Sequence, residues 1–444
     1  MGRVALIGEN SVNYIKTLLN IWNAGDCAVL IDWRIPPRTA TEMMVEANIY
    51  KCYVESHLLK KLNEYIPATI TTVPFTHSKV QAKELPFEIY SEFNPVYEEK
   101  EAVIIYSSGT TGKSKGIILT HYAINTNADA IIRYMNISAS DRLYMIKNIA
   151  HSSSIVGELL VALKTGVSLL IAPTIVPPRY ILSNIEKFKI TTICINPTLL
   201  DLLIEELKWC SKYDLVSLQN IYVHGAKTMR KICELAKTAF LYSNIYYEYG
   251  LSEAGPRVTT QRLGANTIDS VGKPIHGVKV AVIDSNGKKA GFETQGIIHV
   301  DTPSLYSGYV SGNCKFESQY MGWLNTGDIG HWDKYGELHI DGRSDDLINI
   351  DAHKIYPIDI EQHIMSIMAI KECIVVKVRS NGKDILACLY VADNDVPVHI
   401  QKSLSSVLMP YEIPKTYIRV KELPRTMNGK ISRVEAEALF YNNI

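Results

Sequence analysis

The 444-residue chain has no excess of charge of either sign, since 46 Lys and Arg stand against 46 Asp and Glu. Without a global positive field, phosphate backbones and anionic lipid lose their main long-range attraction, so nucleic acid is not an expected partner. Long apolar runs are also missing. No segment reaches the ~18 uninterrupted apolar residues of a spanning helix, and the opening MGRVALIGEN lacks the apolar stretch and cleavage site of a signal peptide. A membrane span is therefore not expected. Nor is there a C-x-x-C pair: Cys27, Cys52, Cys194, Cys210, Cys233, Cys314, Cys373 and Cys388 are scattered through apolar or helical surroundings. That usage fits a reduced, cytoplasmic setting better than a disulfide framework. What remains, 47% hydrophobic and 21% charged positions, is the balance of a folded protein long enough for more than one core.

The first 60 residues run RVALIG, a helical stretch from about Ser11 to Ala24, then CAVLID, the cadence of a strand–helix–strand crossover. EAVIIYSS, GVSLLIAP, TTICINP and NIYVHGA repeat it, separated by helical stretches such as Thr198 to Cys210 and Met229 to Lys237. From about Asp269 the texture turns to hairpin-like pairs, with turns at Asn286-Gly287 and around Gly336. The last hundred or so residues carry a helix from Pro357 to Ile370 and the strands CIVVKV and ILACLYVA. The expected fold is α/β. Residues 1–342 form a large domain of mixed, mostly parallel sheets with flanking helices and a β-rich subdomain. Residues 343–444 form a small, mobile α+β domain.

Directly after EAVIIY stands Ser107-Ser108-Gly109-Thr110-Thr111-Gly112-Lys113-Ser114-Lys115-Gly116. Its glycines free the backbone to aim several N–H groups at a phosphate, and its hydroxyls and lysines add donors and charge. A Walker A loop needs four residues between its first glycine and Gly-Lys-Ser; here there are two, which excludes that reading. A Gly/Ser/Thr stretch alone is as often an idle surface loop, but one launched from a buried strand is well placed for a ligand.

This segment resembles the adenylate-forming superfamily of acyl- and aryl-CoA synthetases, peptide-synthetase adenylation domains and luciferases, whose loop reads T/S-S-G-T-T-G-x-P-K-G. Only Ser114 departs from it. Further segments follow in the family's order. His224-Gly225-Ala226 resembles its G-G-A turn, and Tyr249-Gly250-Leu251-Ser252-Glu253 its Y-G-x-T-E. Asn325-Thr326-Gly327-Asp328 resembles T-G-D, and Asp341-Gly342-Arg343-Ser344-Asp345 the hinge. Pro424 to Arg433 resembles the terminal P-R-T-x-x-G-K-I-x-R. Taken singly, each is an ordinary turn or a solvated charge.

The resemblance implies a ligase that uses ATP and Mg²⁺. Ser107, Ser108, Gly109, Thr110, Thr111, Gly112, Lys113 and Lys115 would hold phosphates; Gly225, Ala226, Tyr249 and Gly250 would border the adenine. Asp328 would take the ribose hydroxyls, Arg343 would reach the ribose and phosphates, Ser252 the α-phosphate, and Glu253 the metal. Lys430 would bridge carboxylate and α-phosphate, because an anion attacking an anion needs positive charge and alignment. The resulting acyl adenylate would pass its acyl group to a phosphopantetheine thiol of CoA or of a carrier protein, after a turn about Asp345. Ala352 stands where the family has glycine in the thiol channel.

The acid is the open point. Amino-acid-activating relatives place an aspartate in the segment matching Asn148 to Ser154, and none is present, so a substrate ammonium would lack a partner. His151 and Ser152, with His224 and Gly250, are the expected acid pocket. This hydroxyl-rich wall favours an aryl or hydroxyaryl acid over the alternatives: a medium- or long-chain fatty acid, or a non-catalytic nucleotide binder. His151 also suits a satisfied histidine at a strand end.

Overall fold

The protein is described by a computed structural model covering residues 2–76, 81–107, 114–173, 176–210, 212–226, 230–264, 270–312, 321–350, 353–367, 369–380, 382–425 and 431–442. Strands Arg3–Gly8 and Cys27–Asp32 are almost wholly apolar and run parallel in register, joined by the helix Val12–Asn23. Ser11 starts that helix by accepting the Tyr14 N–H at 3.1 Å, which satisfies one donor left over in the first turn. Its stripe of Val12, Ile15, Leu18, Leu19 and Ile21 then closes on the sheet. Near-continuous burial is what a parallel sheet covered on both faces requires.

Two large sheets result. The seven-stranded one runs Gly308–Tyr309, Lys115–Thr120, Glu101–Ser107, Cys27–Asp32, Arg3–Gly8, Lys51–Glu55, Thr71–Phe75, parallel except at the first two pairings. The eight-stranded one has Arg142–Met145, Ser168–Ile171, Thr192–Ile195, Asn220–His224 and Asn244–Tyr249 as a parallel centre with antiparallel edges. Helix His121–Met135, whose first turn is capped by Thr120, packs into the core shared by both.

Residues 107 and 115 face each other in an antiparallel pair, so the glycine-rich segment is flanked by a strand on each side, unlike the strand and helix that flank a P-loop.

The β-rich part is a four-stranded antiparallel sheet in the order Lys279–Ile283, Gly296–Asp301, Leu324–Trp332, Leu338–Arg343. The turn at Asn286-Gly287 closes only one bridge, Ile283 to Lys289. Asp284 takes over by accepting the N–H groups of Asn286 and Lys288, both at 2.9 Å, and Gly296–Asp301 is the real partner strand. Around Gly336 the expected pair does form.

After Arg343, Ile370–Ser380 and Lys383–Ala392 pair antiparallel, and Thr416–Arg419 adds a parallel strand. The expected helix stops at Met365 instead of Ile370. Ile370 is claimed by its pairing with Ala392, a tertiary contact that outweighs the continuing apolar period. Among the described residues, the apolar clusters of this part contain none before Ile348. Among the described residues no helix is long and apolar enough to cross a membrane.

Candidate active site

Strands Asn220–His224 and Asn244–Tyr249 are parallel neighbours with His224 opposite Glu248, so the turns that follow them open at one sheet edge. Gly225 has φ +97°, a conformation that favours glycine. At Gly250 a Cβ would lie 1.8 Å from the Pro256 carbonyl oxygen, so no larger residue fits. The short helical turn Ser252–Ala254 comes next.

Tyr249 donates its hydroxyl to Asp328 Oδ2 at 2.6 Å, while Arg343 Nη1 donates to Oδ1 at 3.1 Å. Asp328 and Arg343 are register partners on neighbouring strands. Burial, then the Asp328 charge, pushes the Tyr249 phenol well above its ordinary value, so it stays a donor. Ser344 Oγ donates to the Gly327 carbonyl at 3.0 Å and ties the residue after Arg343 to the same turn. Asp345 lies 3.9 Å from the Arg343 guanidinium.

Glu253 Oε1 accepts the Tyr309 hydroxyl at 2.9 Å. The Lys115 ammonium stands 5.6 Å from the Tyr309 ring centre, which brings the end of the glycine-rich segment beside Glu253. On the other side, Ser252 Oγ and Ser152 Oγ are 2.7 Å apart. Ser152, expected to offer its hydroxyl to a substrate ring, is therefore engaged by Ser252. His151 is not at a strand end; it precedes the helical run that begins with Ser152, and its carbonyl accepts the N–H of Ser154 at 2.9 Å.

The structure thus gathers Ser107, Lys115, Tyr249, Gly250, Ser252, Glu253, Ser152, Asp328 and Arg343 through these strand ends and contacts. Gly225 and Ala226 follow His224 at the same edge and are exposed. Ser108, Gly109, Thr110, Thr111, Gly112, Lys113, Ala352 and Lys430 lie outside the described residues.

Beside this edge is a buried ionic cluster that sequence reading missed. Glu248 Oε2 lies 3.0 Å from His224 Nδ1 and 2.8 Å from Arg257 Nε, and Tyr134 donates its hydroxyl to Glu248 Oε1. The Lys147 ammonium meets His224 Nε2 and lies 3.4 Å from Glu158 Oε2 and 3.3 Å from Ser153 Oγ. Nδ1 thus faces both Glu248 and the Arg257 guanidinium, whose Nη2 lies 3.0 Å away, while Nε2 meets Lys147. Burial, then the charges of Arg257 and Lys147, hold His224 well below its ordinary value, so the imidazole is neutral. The backbone is pinned as well. Asn127 brackets Arg257, accepting its N–H at 3.1 Å and donating to its carbonyl at 3.0 Å, and Asn10 donates to the Lys147 carbonyl at 2.7 Å. The available signal was a single charge inside each of the apolar runs LYMIKNIA, SIVGELLVAL and NIYYEY.

Burial pushes the Glu158 carboxyl up from 4.5 to about 7, against the pull of Lys147 and Arg257. Between those values the folded state holds a proton that the unfolded chain has released, so this group's contribution to stability falls as pH rises through the window. Glu158→Gln carries no such proton. The variant should therefore gain on the wild type between about pH 5 and about pH 8, read as the difference in urea unfolding free energy. A constant difference, or one of opposite sign, would refute this.

The family profile described as AMP-binding enzyme matches residues 2–310, and that of the AMP-binding enzyme C-terminal domain matches residues 359–430. Bacitracin synthase 3 of Bacillus licheniformis is 25% identical over 97% of the chain, which spans 7% of that protein's length. The mitochondrial malonate–CoA ligase ACSF3 of Xenopus laevis is 23% identical over 99% of the chain and 83% of its own. Among solved structures, the anthranilate CoA ligase AuaEII in complex with anthranoyl-AMP superposes with a TM-score of 0.85 at 21% identity, covering 100% of this chain and 88% of that one. These similarities are of one order and their names point to different acids, so they do not choose among acids.

Proposed function

The chain belongs to the AMP-binding enzyme family, and on that premise we propose that it activates an aryl or hydroxyaryl acid for transfer to a pantetheine thiol. The coarser activity is that of an AMP-forming acid–thiol ligase with an acyl-AMP intermediate. In the first half-reaction a carboxylate oxygen attacks the α-phosphorus of ATP, the bond to the bridging oxygen breaks, and pyrophosphate leaves. In the second a thiolate attacks the acyl carbon, AMP leaves, and the thioester remains.

The supporting observation is the convergence at one sheet edge of the Tyr249–Asp328–Arg343 triad with Glu253 and the Ser252–Ser152 pair. In this reading Asp328, held by two donors, still has lone pairs for the ribose hydroxyls. Arg343 lies beside it for the sugar and phosphates. Ser252, in contact with Ser152, would stand between phosphate and acid. The lone Glu253 carboxylate suits Mg²⁺, which takes one or two protein carboxylates and fills its other positions with phosphate and water. When bound, the ion spreads the charge of the departing pyrophosphate. Lys115 sits at the end of the glycine-rich segment that would hold the β- and γ-phosphates. The polar wall of Ser152, Ser153 and His224 supports a compact, ring-bearing acid over an alkyl chain.

The test is acid-dependent ATP–pyrophosphate exchange across aryl, fatty, dicarboxylic and amino acids, followed by product analysis with CoA and with a pantetheinylated carrier protein. Exchange driven best by an aryl acid, with thioester and AMP as products, is expected. Exchange driven best by an alkyl acid, or ADP as product, would overturn the proposal.

A further inference from the structure

In the eight-stranded sheet the helices Pro178–Phe188, Pro197–Trp209 and Arg230–Ala239 each join one parallel strand to the next. All three therefore run back against the strand direction and end at the edge opposite the candidate active site. The turns that follow them are tied to one another. The Lys189 ammonium, after the first helix, lies 2.9 Å from Asp214 in the second turn, and Ser243 Oγ in the third donates to the Leu218 carbonyl at 2.6 Å.

An edge built of turns is normally polar, and this one is not. Trp209 is 88% exposed, Leu241 75%, Tyr242 69% and Val216 61%. Leu202 is exposed as well. It stands seven residues before Trp209, hence on the same side of their helix, while Leu200, Leu203 and Ile204 face the core. Together these side chains bare on the order of 600 Å² of apolar surface, the upper end of what a monomer carries. That is most of the ~800 Å² that each partner contributes to a standard interface.

The charges among them alternate in sign. Lys208 pairs with Glu205, Lys189 pairs with Asp214, and Lys212 is exposed between Trp209 and Val216. An anionic lipid surface selects clusters of one sign and gains little from such a set. A two-fold axis, by contrast, lays the patch on its own copy: apolar surface meets apolar surface, and rim cations of one copy meet rim carboxylates of the other.

We propose that this edge is the interface of a homodimer, with a second copy of the chain docked on Leu202, Trp209, Val216, Leu241 and Tyr242. The placement has a consequence for the site. Strands Asn220–His224 and Asn244–Tyr249 begin at the docked edge and deliver their last residues at the other, so docking leaves the turns around Gly225, Gly250 and Arg343 uncovered. The two copies work independently.

Sedimentation velocity of the full chain tests this, with circular dichroism and pyrophosphate exchange on the same samples. The wild type should sediment at twice the chain mass at micromolar concentration. Trp209→Glu/Leu241→Glu, which buries like charges at the centre of the interface, should raise the dimer dissociation constant by about 100-fold or more. Tyr242→Glu, an independent change, should raise it about 10-fold. Both variants alter side chains exposed in the single copy, so the native circular dichroism and exchange within about two-fold of wild type are expected. Val398→Glu, an equally exposed apolar position in the small domain, should leave the dimer intact. A dimer that persists in the double variant, or one that Val398→Glu dissociates, would overturn the inference. So would a wild-type monomer, and sedimentation of that monomer with phosphatidylcholine–phosphatidylglycerol vesicles would make lipid the occupant instead.

Discussion

Replacing Lys430 by alanine is expected to slow acid-dependent pyrophosphate exchange by about 10²- to 10³-fold, the usual cost of deleting one charge aimed at the transition state. Transfer of a presynthesised acyl adenylate to the thiol should stay within a few-fold of wild type. The difference follows from what each half-reaction needs. Adenylation drives a carboxylate at a phosphate and needs a cation between them, whereas thioester formation expels AMP from a mixed anhydride and has no such repulsion to overcome. Lys430 itself lies outside the described residues, but the frame around it is clear. Arg425 and Ile431, on either side of it in the sequence, form an antiparallel bridge, and Arg425 pairs with Glu372. Arg433, three residues on, is fixed by Glu361 at 2.7 Å and lies 3.7 Å from Asp346, just past the hinge. Arg425 and Arg433, which flank Lys430 in the sequence, are thus both anchored, Arg425 to the strand Ile370–Ser380 and Arg433 to the helix Pro357–Met365. Separate assays of exchange and of thioester formation check the prediction. Equal loss of both would mean that Lys430 serves a single conformation, and the two-state assignment would fall.

The parts of the fold that could be read from the sequence are those set by local pattern. Arg3–Gly8 and Cys27–Asp32 announce themselves because a strand covered on both faces is apolar at nearly every position, and Ser11 marks the helix between them. The residues expected on the nucleotide side each lie in a short segment whose turn chemistry is local, and the fold brings Tyr249, Asp328 and Arg343 of that set into contact. The failures are non-local. Nothing near Ile370 says that Ala392 will claim it. The ionic cluster is the clearest instance. Lys147 and His224 are 77 residues apart, and Tyr134 and Glu248 are 114 apart. Each charge alone reads as an interruption of an apolar run, and only the fold shows that the interruptions neutralise one another. Ser152 belongs to the same group: its partner, Ser252, is 100 residues away.

Asp328→Asn is expected to raise the KM for ATP by roughly 10²-fold while lowering kcat far less, because two hydrogen bonds to a charged acceptor weaken together and both are made before the chemistry begins. Asp328 is buried and its geometry is already set: the Thr326 hydroxyl accepts its backbone N–H at 3.1 Å, Tyr249 donates to one carboxylate oxygen and Arg343 to the other. Asparagine keeps the shape but turns one acceptor into a donor, which would point at the Tyr249 hydroxyl or the Arg343 guanidinium, themselves donors. A nucleotide probe separates recognition from this local disturbance. With 2′-deoxy-ATP or 3′-deoxy-ATP the wild type should lose affinity for the missing hydroxyl, while Asp328→Asn should lose little more, since the partner of that hydroxyl is already impaired. The non-additivity of substitution and deoxygenation is the coupling between Asp328 and the ribose. Additive losses would show that Asp328 only braces Tyr249 and Arg343, and that the ribose is held elsewhere.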